Sequence, residues 1–186
     1  MRAASLRCLS FALMALSSWT AFATPQVKTT VKYYDVQGAS ARDLSEQLRR
    51  KGPRGFAAYT AWNVKWDYSS ARDGKGCRVT RASTSVAVEY TMPRWQPPAN
   101  ADRATRQSWE RFIKALKAHE DGHRDIGIGA ARAIENVVGN LTRVPCDELS
   151  RKASEAAKKI LYDARKKEAE YDRRTQHGVQ QGARFP

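Results

Sequence analysis

Beyond its first residues the chain has no apolar run long enough to cross a bilayer, no internal repeat and no segment of low complexity. The first absence excludes a helical membrane protein. The second excludes a repeat array, and the third a chain built mainly of linker. Histidine is scarce, with three residues among 186, and acid is outnumbered, with 19 Asp and Glu against 33 Lys and Arg. What is present is a globular composition: 41% of residues are hydrophobic, and the length suits one domain with a real core.

The N-terminus has the pattern of an export signal. Arg2 and Arg7 supply a positive start, Cys8 to Leu16 a short apolar stretch, and Ala21-Phe22-Ala23 a small-residue cleavage site. We expect residues 1–23 to be removed and residues 24–186 to form a single domain that is periplasmic or secreted. Cys8 has no lipobox after it, so a lipoprotein is not expected. Export leaves Cys77 and Cys146, and an oxidising compartment favours a disulfide between them. The net charge of +14 is spread along the chain, with only a mild run at Arg165-Lys166-Lys167. On an exported protein this charge fits anionic envelope polymers as partners, and nucleic acid is not expected.

Val27 to Tyr34 alternates in the period of a strand. Gly38 breaks it, and Ser40 with Asp43 makes a capping-box start for a short helix with Leu44 and Leu48 inward, closed by Gly52-Pro53. Ala58–Tyr68 and Cys77–Met92 read as strands of an antiparallel hairpin around Asp73-Gly74-Lys75-Gly76. Pro93 should end the sheet, and Pro97-Pro98 marks a linker. A long helix is expected over Ala101–Val138 and a second over Asp147–Arg174, followed by an irregular tail. The layout is α+β: an N-terminal antiparallel sheet with a short helix, then two helices.

The chemistry concentrates in His119-Glu120-Asp121-Gly122-His123, an HExxH motif. Residues four apart share a helix face, so both imidazoles can reach one zinc ion. Glu120 is turned beside that face, where a carboxylate can take a proton from a water on the metal, as a general base. Trp109, Phe112, Leu116, Ile126, Ala130 and Ile134 continue the same apolar stripe, so the histidines point inward and need partners. A catalytic zinc takes three protein ligands and keeps one position open. His177 is the natural third ligand, because imidazole is a strong zinc donor. Asp172 and Glu168 are the alternatives, and Asp172 would otherwise orient a ligand. Tyr171, Arg173 and Tyr162 are candidates to donate to a developing oxyanion. Gly122, Gly127 and Gly129 each cost a helix about 1 kcal/mol relative to alanine, which points to close approach by another segment or to a break after Gly127.

These residues resemble a known family. Tyr34-Asp35-Val36-x-Gly38, Met92-Pro93-Arg94-Trp95, the HEDGH helix, Tyr171-Asp172-x-x-Thr175-x-His177-Gly178 and the terminal Phe185-Pro186 look like bacterial domain-of-unknown-function family 922. Its members are described as predicted secreted zinc-dependent proteases. The resemblance implies a zincin-like fold, His177 in a family motif and Cys77 with Cys146 as the family's cysteine pair. It also implies a substrate-binding edge strand, for which Val86–Met92 is the candidate. The expected function is an exported zinc metallopeptidase. Two rivals stand beside it: a zinc hydrolase acting on other envelope bonds, and a non-catalytic module with a closed zinc site.

Overall fold

The alternating residues at the start of the chain build β1, Gln26–Val36, in a computed structural model that describes residues 24–186. The expected signal segment, residues 1–23, lies outside the described residues. Helix α1, Ala41–Lys51, begins at Ser40, whose hydroxyl accepts from the Asp43 amide while the Asp43 carboxylate accepts from the Ser40 amide. Strands β2, Tyr59–Asp73, and β3, Gly76–Trp95, form the expected antiparallel hairpin. The helices follow as α2, Arg103–Gly139, and α3, Leu149–Thr175. No helix among the described residues is long and apolar enough to cross a membrane.

The sheet order is β1-β3-β2, and β1 pairs with β3 in parallel, so the sheet is mixed where an antiparallel one was expected. The reason is the short α1. It carries the chain across the end of the sheet, so that β2 starts opposite Thr91, near where β1 finishes opposite Trp95. β3 then returns between the two. This topology corrects the edge-strand expectation: Val86–Met92 lies in the central strand, and the strand bordering the HExxH helix with a free edge is β2. Pro93 also does not end the sheet. β2 begins opposite Thr91, so at Pro93 the strand has a neighbour on one side only, where a missing N–H is tolerated.

One face of the sheet, carrying Trp62, Val64, Val86, Val88, Tyr90 and Met92, packs against α2 through Phe112, Leu116, Ala131, Ile134 and Val138. Tyr90 donates to the Asp121 carboxylate at 2.6 Å, which fixes the rotation of α2 over the sheet. α3 packs on α2, with Ala153, Ala157 and Ala164 buried along it. The residues that carry the family resemblance do structural work at the top of the sheet. Asp35 and Arg94 form a two-pronged ion pair, the Tyr34 hydroxyl donates to the Ala57 carbonyl, and the Trp95 indole donates to the Gly38 carbonyl. Cys77 and Cys146 are joined in a disulfide that ties the hairpin turn to the α2–α3 connector.

Helix α2 runs without a break through Gly127, and close approach explains two of the three glycines in its middle, Gly122, Gly127 and Gly129. A Cβ at Gly127 would lie 2.7 Å from the Trp62 ring, and one at Gly122 would lie 2.2 Å from the Tyr171 hydroxyl; at Gly129 it would meet nothing within 4 Å. Gly127→Ala gains about 1 kcal/mol in helix propensity. It must also displace a Trp62 ring that is 4% exposed and hydrogen-bonded at its nitrogen, an overpacking cost of about 1–3 kcal/mol. We expect Gly127→Ala to lower the urea midpoint and Gly129→Ala to leave it unchanged or raise it. Equal midpoints for the two variants would contradict the packing.

Candidate metal centre

His119 and His123 stand one turn apart on α2, with ring centroids 5.0 Å apart and ring planes nearly perpendicular. Both face inward and are buried, as is Glu120 between them. α3 ends directly across from them. Its Asp172 sets Oδ1 at 3.2 Å from His119 Nε2 and 3.0 Å from His123 Nε2. His119, His123 and Asp172 thus offer three donor atoms within 4.8 Å of one another, a group that can hold a metal ion. Ligands at ~2.0–2.1 Å around a tetrahedral ion stand roughly 3.3 Å apart, so the two separations from Asp172, 3.2 and 3.0 Å, fit with little adjustment.

The remaining faces of both imidazoles are also occupied. His119 Nδ1 lies 2.9 Å from Gln181 Oε1. His123 Nδ1 lies 3.5 Å from Glu168 Oε1, which also accepts from the Trp62 indole at 2.7 Å, while Arg165 holds the other Glu168 oxygen. Burial pushes the Glu168 carboxyl up, but hydrogen bonds from His123, Arg165 and Trp62 outweigh it and hold it below the usual range. Burial likewise pushes His123 down, and the carboxylates of Glu168, Asp172 and Glu120 more than reverse this. An imidazole that gives its Nδ1 proton to an acceptor on one side turns an Nε2 lone pair to Asp172 on the other. Two such lone pairs against one carboxylate oxygen repel unless a cation or extra protons lie between them.

Glu120 is 4% exposed and borders a cavity of about 480 Å³. Thr60 on β2 donates to its Oε2 at 2.6 Å. Burial raises the Glu120 carboxyl above the usual carboxylate range, against the Thr60 hydrogen bond and the two histidines. The cavity is walled by Phe56, Tyr59, Leu116 and Val179 on its apolar side and by Glu120, Glu168, Asp172 and Arg165 on its charged side, which makes it a mixed apolar and charged cleft beside the outer edge of β2.

His177, expected as the third ligand, stands at the cavity wall outside this group. It is half-exposed, its Nδ1 is 3.4 Å from Asp172 Oδ1, and its ring lies 4.5 Å from that of Phe56. Tyr171, expected as an oxyanion donor, does not line the cavity. Its ring stacks on His119 and its hydroxyl reaches the His119 carbonyl at 3.1 Å. Arg173 is exposed and paired with Glu170, and Tyr162 is exposed on α3. Both therefore lie outside the cleft.

Two site residues were not singled out from the sequence. Thr60 had a legible signal, as a polar residue on the inward register of Trp62 and Val64. Gln181 had none, since it lies in an irregular tail and 62 residues from its partner. That tail leaves α3 through three left-handed residues, Gln176, His177 and Gly178, with φ of 50, 51 and 85°. Left-handed backbone is costly for residues with a side chain. The turn swings the chain back onto α2, close enough that a Cβ on Gly178 would lie 2.9 Å from His119.

No curated protein and no solved structure matches the chain. A family model described as a bacterial protein of unknown function, DUF922, matches residues 31–178, from the middle of β1 through both helices of the metal centre to the left-handed turn. The chain therefore belongs to the bacterial DUF922 family.

Proposed function

We propose that this chain is an exported zinc metallopeptidase in which His119, His123 and Asp172 hold the metal. The observation that carries this reading is one carboxylate oxygen at 3.0 and 3.2 Å from two buried Nε2 atoms, beside a buried glutamate on an open cleft. Bound zinc supplies Lewis acidity, which polarises a carbonyl and brings the pKa of water toward ~7. The chain's own residues do the rest. Glu120, oriented through Oε2 by Thr60, takes the proton of the attacking water and returns it to the leaving amine. The outer edge of β2 offers backbone groups near Tyr59 and Thr60 that align an extended peptide along the cleft, while the Trp62 carbonyl is held by Arg165 at 3.1 Å. In this reading His177, whose Nδ1 lies 3.4 Å from Asp172 Oδ1 at the cavity wall, is assigned to the substrate side. Zinc, rather than another divalent ion, suits a donor set of two imidazoles and one carboxylate.

The test is elemental analysis of the purified, unchelated chain and of two variants. We expect one zinc per chain in the wild type and in His177→Ala, and loss of zinc in Asp172→Ala. Hydrolysis of an unstructured protein should stop on chelation and return with added zinc. A wild type without zinc sinks the reading. Zinc lost in His177→Ala and kept in Asp172→Ala restores His177 as the third ligand.

A further inference from the structure

We infer that Gln181, on the C-terminal tail beyond the family match, is a positioning residue that fixes His119 as a metal ligand. The inference rests on the metal reading above and concerns a residue that reading does not use.

The argument begins at a backbone carbonyl. The His119 carbonyl oxygen can only accept, and the Tyr171 hydroxyl lies 3.1 Å from it. A tyrosine has a single hydroxyl proton. If it goes to that carbonyl rather than to Gln181 Oε1, which lies 3.2 Å away, Tyr171 Oη becomes an acceptor toward Gln181 Nε2 at 3.1 Å. That sets the Gln181 amide: Nε2 donates to Tyr171, and Oε1 is turned to His119 Nδ1 at 2.9 Å. An amide oxygen cannot donate, so His119 must carry its proton on Nδ1. Nε2 is then left with a lone pair aimed at Asp172 Oδ1. With the tyrosine proton on the carbonyl, the three bonds form a one-way ring that starts and ends on His119 and favours one tautomer, the one that binds metal through Nε2.

The tail is built to hold this ring. The left-handed turn at Gln176-His177-Gly178 aims it across α2, and the short helical turn Val179–Gln181 carries the glutamine. Ala183 is buried beyond it, and Phe185 packs against Phe112 and Trp109, about two and three turns before His119. Gln181 itself is exposed, so its side chain can be changed without opening the core.

The experiment compares the wild type with Gln181→Leu and Gln181→Glu. Zinc affinity is read by competition with a chromophoric chelator, and the His119 tautomer by heteronuclear NMR of the metal-free protein. Losing such a partner typically weakens metal binding ~10–100-fold. We expect that loss in Gln181→Leu, and near wild-type binding in Gln181→Glu, which keeps an acceptor for Nδ1–H. The wild type should show His119 protonated at Nδ1, and Gln181→Leu a mixture of tautomers. Equal zinc affinity in wild type and Gln181→Leu, or a wild-type His119 protonated at Nε2, overturns the inference. A wild type that holds no zinc sinks the metal reading instead, and the tautomer measurement still decides the role of Gln181.

Discussion

Glu120→Gln should bind zinc as the wild type does and lose peptide hydrolysis by about 100- to 10,000-fold, the usual range for removing a general acid–base group. Glutamine has the size of glutamate and can still accept the Thr60 hydrogen bond, so the geometry beside His119 and His123 is kept. It cannot accept a proton from water at neutral pH. The variant should also be at least as stable as the wild type in the metal-free state. Burial raises the Glu120 carboxyl above its usual value. A raised carboxyl favours the fold at low pH, and that contribution is lost as pH rises through the folded pKa. At neutral pH the ionised, buried group is therefore a cost that glutamine removes. Initial rates on an unstructured protein, zinc content and a thermal melt check the three expectations together. Full activity with zinc in place would remove Glu120 from the mechanism.

Removing the disulfide should have the largest effect on stability. Cys77 and Cys146 close a loop across a sequence separation of 69. On the chain-entropy account a loop of that length stabilises the folded state by about 4 kcal/mol, mainly by restricting the unfolded chain. The bond also holds a local structure. Cys77 and Val144 exchange two backbone hydrogen bonds, and Val79 donates to the Leu141 carbonyl, so the α2–α3 connector is laced to the hairpin turn. We expect Cys77→Ala/Cys146→Ala, or the reduced wild type, to unfold at a clearly lower denaturant concentration. The first region to lose hydrogen-exchange protection should be the hairpin turn and the connector. Coincident unfolding curves with and without reductant would show that the bond stabilises little.

Much of this protein could be read along the chain because much of it is local. The capping box at Ser40 and Asp43, the alternation through Trp62, Val64, Trp66 and Tyr68, and the long apolar stripe of α2 each depend on neighbours within a few residues. The HExxH spacing belongs to the same class. Four residues are one turn, so His119 and His123 had to share a face wherever the helix lay. The disulfide followed from there being one pair of cysteines after the expected leader.

Other features depend on where distant segments meet. Nothing in the strand periods states that α1 crosses the end of the sheet rather than returning the chain, yet that crossing makes β3 central, β2 an edge and β1 parallel to β3. Reading His177 ahead of Asp172 rested on donor strength. In the structure it is Asp172, at the end of α3, that stands opposite both Nε2 atoms, with His177 Nδ1 3.4 Å from the same oxygen. Gly122 pointed to close approach by another segment, and only the fold identifies that segment as Tyr171 on α3.

By itself, the order of residues determined the helices, the strands, the shared face of His119 and His123, and the glutamate between them, since each is set by backbone geometry over one or two turns. Only the tertiary structure decided the group that faces those histidines, the residues that orient them, and the strand that borders the cleft. Those depend on α3 packing along α2 through Ala153, Ala157 and Ala164, and on a left-handed turn that sends the tail back over His119. His123 and Asp172 are 49 residues apart and His119 and Gln181 are 62 apart, distances over which no sequence period carries information.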